Sequence, residues 1–168
     1  MSQLEKIQAE YEQFPQEVAS IMISTVNEEG MPNASYTPFV MDEFKNIYIY
    51  VSGLASHTAN IHANPYVSIL LIEDEAKAPN IFARRRLNFY CTANLIERET
   101  DKWNQIVEQF QVRFGEVIEM FRSLADFRIF QLTPTKGRFV IGFGTIYNIN
   151  PDNLSQLVPV TKDNLSNS

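Results

Sequence analysis

Cysteine is nearly missing from this chain: Cys91 stands alone among 168 residues, so no internal disulfide can brace the fold and the core must hold by packing. With only two histidines, His57 and His62, there is no cysteine or histidine set at zinc-ligand spacing. No glycine-rich phosphate loop and no serine-centred nucleophile elbow occurs. No apolar run reaches the about 20 residues of a membrane-spanning helix, and none follows a basic signal-peptide start. The expected setting is the reducing cytoplasm. Basic charge is also scarce, and the net charge of −6 opposes nonspecific attraction to nucleic acid or anionic lipid. Neither a nucleic acid nor a membrane is an expected partner. What the chain does have is 45% hydrophobic residues, with 12 Phe and 7 Tyr. That suffices for one domain with its own core, and the aromatic excess suits a β-rich interior or a surface that closes on a second subunit.

Against the acidic background, Arg84, Arg85 and Arg86 stand together at the head of an apolar segment through Leu87, Phe89, Tyr90 and Cys91. If all three lie on a strand, Arg84 and Arg86 project to one side and Arg85 to the other, aiming two forked cations at one place. Guanidinium groups bind phosphate or carboxylate bidentately, so a small anionic ligand fits. The alternative is a solvated edge, or pairing with Glu73, Asp74 and Glu75 just upstream. Cys91 within the apolar run reads as a packed small residue rather than a nucleophile.

Leu4, Ile7, Tyr11 and Phe14 follow helical spacing until Pro15, predicting an N-terminal helix within residues 1–17. A hairpin follows from Ala19–Val26 and Pro32–Val40 around Asn27 to Gly30, and Ile47 to Val51 is a third strand that Gly53 breaks. Ser56 reads as the N-cap of a short helix carrying His57, Thr58 and His62, stopped by Asn64 and Pro65. Strands are expected at Tyr66–Ile72 and, bent, over Ile81–Glu97; a helix capped by Thr100 and divided at Gly115 comes next. Phe127–Leu132 and Arg138–Ile149 read as a final strand pair joined by a turn at Pro134 to Gly137, with Gly142 and Gly144 inside a strand. The fold class is α+β, mainly β: a six- to seven-stranded antiparallel barrel over residues 18–150 with helices outside, then a loose polar tail over 151–168.

The phrases "LASHTANIHANPYVSILLIEDE", "IFARRRLNFY" and "RFVIGFGTIYNI", in that order between Val18 and Asn150, resemble the pyridoxamine 5′-phosphate oxidase-like FMN-binding split barrels, and within them the haem-utilisation branch. The resemblance implies a homodimer with two equivalent cofactor sites at the subunit interface. In flavin-binding members a Ser-Arg-Lys triplet and a second-strand arginine hold the FMN phosphate; here the corresponding residues are Ser56, His57, Thr58 and Ser35. In the haem branch an arginine matching Arg86 lies near the haem, and an aspartate matching Asp126 assists the proximal side. Arg84 and Arg86 would suit haem propionates. Asp126 also has a simpler role open to it, capping the start of a strand. The branch takes its axial iron ligand from a histidine in the C-terminal tail, whereas residues 151–168 contain none, so His57 becomes the candidate for iron and cofactor contact. Three functions follow: a haem-binding, haem oxygenase-like oxidoreductase, an FMN-dependent oxidoreductase, or a non-catalytic haem or flavin carrier or sensor.

Overall fold

The structure is a computed structural model that describes residues 1–161. In chain order its elements are α1 (Gln3–Gln13), β1 (Ser20–Val26), β2 (Pro32–Pro38), β3 (Val40–Met41), β4 (Ile47–Val51), α2 (Ser56–Ala63), β5 (Tyr66–Ile72), β6 (Arg86–Ile96), α3 (Asp101–Phe114), α4 (Val117–Ser123), β7 (Arg128–Gly142), β8 (Thr145–Asn150) and β9 (Asn153–Pro159). Ser2 and Glu5 start α1 with a reciprocal capping box, and Pro15 turns it into a short 3-10 turn over Phe14–Gln16. The Thr100 hydroxyl accepts from the Trp103 N–H to start α3, which Gly115 separates from α4. Among the described residues no helix is long and apolar enough to cross a membrane.

All strand pairs are antiparallel, in the order β2-β1-β5-β6-β7-β4-β3, with β8 joining β7 and β9 joining β8. Strand β7 explains the architecture. It pairs with β6 along its length but has two successive neighbours on its other edge: β4 from Arg128 to Leu132, then β8 from Gly137 to Gly142. The sheet therefore divides into two wings that share β6 and β7. Pro134, expected in a turn, lies in the gap between those two neighbours, where a missing N–H costs no ladder bond. The turn lies further on, at Phe143 and Gly144, where Gly144 has φ +67°.

Alternation sorts the side chains. Ile21, Ile23, Ile69, Leu71, Leu87, Phe89, Phe130 and Phe139 fill the barrel, which Tyr11 and Phe14 close at the α1 end. Helices α3 and α4 cover the outer face of β4 and the first part of β7, burying Tyr48, Tyr50, Trp103, Val107, Phe110 and Ile129. Among the described residues no helix covers the outer face of β2, β1, β5 and β6, and Tyr36, Met22 and Tyr90 are exposed there.

Among the described residues the sheet has nine strands rather than six or seven, because the two-residue β3, the β7–β8 turn and β9 leave little trace in composition. Asn153–Pro159, expected in a loose tail, is β9, tied to α1 as well as to β8: Gln8 donates to the Ser155 carbonyl and accepts from the Leu157 N–H, and the Tyr11 hydroxyl donates to the Leu154 carbonyl. Residues 162–168 of that tail lie outside the described residues.

Candidate functional site

Strand β4 ends opposite the start of β7, with Val51 facing Arg128, so the residues just beyond β4 meet those just before β7. The Ser52 hydroxyl donates to Asp126 Oδ2 at 3.2 Å and accepts from the Leu54 N–H at 3.1 Å. Its carbonyl accepts from the Ala55 N–H at 3.2 Å and from the Thr58 hydroxyl at 2.6 Å. Position 53 must be glycine. A methyl group there would lie 2.4 Å from Arg128 Nη1 and 2.7 Å from the Asp126 carbonyl, which are themselves hydrogen-bonded at 3.0 Å.

Helix α2 leaves this turn, with Ala55 as its N-cap and Ser56 as the first helical residue, not the cap expected of it. Its next two side chains turn inward, so His57 and Thr58 are buried while Ser56 is exposed. His57 Nδ1 shares a hydrogen bond of 2.8 Å with Ser35 Oγ on β2. That is the ring's only hydrogen bond among the described residues, leaving Nε2 uncommitted. Burial pushes the imidazole below its ordinary pKa, so it is neutral at pH 7. A neutral imidazole fixed through one nitrogen can offer the other to a metal or a donor. Among the described residues no three His, Cys, Asp or Glu side chains gather as a metal site, so His57 is a candidate only for an ion that brings its other ligands with it. His62, the other histidine, is exposed and sets its ring edge-on to Phe130 at 5.3 Å.

The structure thus brings Ser35, His57, Thr58 and Asp126 into one corner. Arg84 and Arg86 are elsewhere. Arg84 precedes β6, at the end of a 3-10 turn over Ile81–Ala83, so it does not share a strand face with Arg86 as expected. Its Nε and Nη2 clasp the Glu73 carbonyl at 2.9 and 2.6 Å, and its Nη1 reaches Glu75 at 3.4 Å. Arg85 is held by Glu10, Glu17 and Glu73 at 3.1, 2.6 and 3.1 Å. Arg86 does lie on the strand, with Nη1 donating to the Arg84 carbonyl at 3.0 Å. Leu87 and Phe89 point into the core, so Arg86 is on the outer face, opposite Ile72 and Val140. Ser35 belongs to the inner row Ser35, Ile23, Ile69 and Phe89. Within one protomer, Arg86 and the His57 corner are on opposite faces of the sheet with two strands between them.

Ser52 and Arg128 were not legible as site residues, because the hydrogen bonds that recruit them join turns far apart in the chain. Gly53 read only as a strand breaker.

The family model for pyridoxamine 5′-phosphate oxidase matches residues 7–141. The chain is 40% identical to the haem oxygenase HutZ of Vibrio cholerae over 153 residues, 91% of this chain and 86% of that protein. A crystal structure of Vibrio cholerae HutZ, there called a haem storage protein, superposes with a TM-score of 0.75 at 38% identity over 84% of this chain and 96% of the other. The crystal structure of Campylobacter jejuni ChuZ gives a TM-score of 0.85 at 33% identity, covering 95% of this chain and 64% of ChuZ.

Proposed function

This chain belongs to the pyridoxamine 5′-phosphate oxidase family and to its haem-utilisation branch, and from that premise we propose that it binds haem in a groove between two copies of itself and serves as a haem oxygenase-like oxidoreductase. The observation that carries the choice of haem over FMN is the chemistry of the corner at residues 56–58. A flavin phosphate needs cations there. This chain offers Ser56, a neutral buried His57 whose Nδ1 is tied to Ser35, and a Thr58 hydroxyl already donated to Ser52. Without Arg or Lys in the triplet, a phosphate dianion is poorly matched, whereas an uncommitted imidazole nitrogen suits a haem. The similarity to HutZ points the same way.

Bound haem would supply dioxygen activation at its iron. The chain's own residues would bind and orient it. Ser35 fixes the His57 ring and leaves Nε2 free for the iron or for a hydrogen bond, and Ser56 lies exposed on the first turn of α2. Asp126 accepts from Ser52 at Oδ2, and its Oδ1 makes no hydrogen bond among the described residues. Arg86 is the candidate for a propionate, while Arg84, already clasping Glu73 and Glu75, acts through longer-range charge. Because Arg86 and the His57 corner face opposite ways, one barrel cannot offer both to one ligand. On the two-copy reading, the groove would take them from different copies.

An absorption spectrum of the purified protein, taken before and after adding haemin and FMN separately, tests this. A Soret shift with haemin and no spectral change or retention of FMN is expected. A yellow protein that holds FMN and ignores haemin overturns the proposal. Loss of the Soret band on adding ascorbate marks an oxygenase; a band that persists marks a carrier.

A further inference from the structure

We infer that Ser52 is a positioning residue that fixes the Asp126 carboxylate relative to the His57 ring, an inference that rests on the haem-binding reading of the corner. Two otherwise separate segments meet at this serine. Its hydroxyl grips Asp126 from just before β7, its carbonyl grips Thr58 on α2, and Thr58 is the neighbour of His57. The relay runs from Ser35 Oγ to His57 Nδ1 at 2.8 Å, along one step of α2, from the Thr58 hydroxyl to the Ser52 carbonyl at 2.6 Å, and from the Ser52 hydroxyl to Asp126 Oδ2 at 3.2 Å.

Ser52 has no freedom to do otherwise. Its hydroxyl proton goes to Asp126, its hydroxyl oxygen accepts from Leu54, and its carbonyl accepts from both Ala55 and Thr58. Arg128 presses on Gly53 while donating to the Asp126 carbonyl, so the main chain at position 126 is fixed from the β7 side too. The Ser52 bond is the only side-chain hydrogen bond of Asp126 among the described residues. Remove that hydroxyl, and the backbone stays while the carboxylate is released. Hydrogen bonds behind the groups that hold a cofactor commonly act by such orientation, and their loss weakens the complex without unfolding the protein.

Haemin titrations of wild type, Ser52→Ala, Asp126→Asn and the double variant, followed at the Soret band across pH, test this. The single variants are each expected to weaken haemin binding about tenfold, the loss for one hydrogen bond to a charged group, and to shift the pH profile of the band alike. The double variant should be no weaker than Asp126→Asn alone, and Ser52→Thr should restore binding to within about twofold. A thermal melt of each haem-free variant checks the fold; if Ser52→Ala is damaged, Ser52→Cys keeps the volume with a poor donor and should fall between wild type and Asp126→Asn. Additive losses in the double variant, or a Ser52→Ala titration that overlies wild type, overturn the inference while leaving haem binding intact. Wild type that shows no Soret shift overturns both.

Discussion

Burial leaves His57 with a neutral imidazole, and that has a consequence in pH. Its folded pKa lies below the ordinary 6.5, so on acidification the unfolded chain takes up a proton first. The stability contributed by the neutral ring is complete above about pH 6.5 and is lost as pH falls from there toward the folded value. Urea unfolding of the haem-free protein at about pH 7 and about pH 5 should show wild type losing more stability over that interval than His57→Gln, which does not titrate. Parallel losses would mean that the ring is not held neutral by the fold. Position 57 stood out in the sequence because the motif around it resembles a cofactor corner. Its hydrogen bond to Ser35 did not, because no spacing rule joins a second-strand serine to a helix 22 residues on.

At the scale of elements, Arg85 is the clasp that holds α1 and the segment after it to the barrel. Its guanidinium joins Glu10 on α1, Glu17 just beyond, and Glu73 after β5, and lies over the Phe14 ring at 5.2 Å. The Glu73 side chain is only 8% exposed, so losing its cation strands a nearly buried charge, whereas the Glu17 pair lies nearer the surface. Arg85→Met should cost about 2–4 kcal/mol in denaturant unfolding and expose α1 to limited proteolysis, whereas Glu17→Gln should cost about 1 kcal/mol or less. Equal small losses would mean that the buried Ile7, Tyr11 and Phe14 and the bonds from Gln8 and Tyr11 to β9 hold α1 without the clasp. The helix itself was legible from its apolar spacing, as were the Thr100 cap and the break at Gly115. The clasp was not, because Arg85 and its carboxylates on the N-terminal segment are brought together only by the fold. Strand β9 was missed for a different reason: it buries only Leu157, so it shows no alternation to set it apart from a polar tail.

At the scale of the molecule, the wing made of β2, β1, β5 and β6 presents Tyr36, Met22 and Tyr90 outward in a stretch that no helix among the described residues covers, unlike the β4 wing beneath α3 and α4. If this face forms the proposed dimer, wild type should sediment as a dimer, whereas Met22→Asp combined with Tyr90→Asp, which replaces no barrel-core residue, should fold, sediment as a monomer and lose haemin affinity. A variant that stays dimeric would move the interface to another face. The division of the sheet into wings has one more outcome, during synthesis. Ile47 to Val51 is buried along its whole length in the finished protein, and its partner in β7 is among the later segments to be made. At about 5–20 residues per second, this run of alternating isoleucine and tyrosine leaves the ribosome several seconds before the strand that will shield it. During that interval its apolar faces are open to nonspecific association.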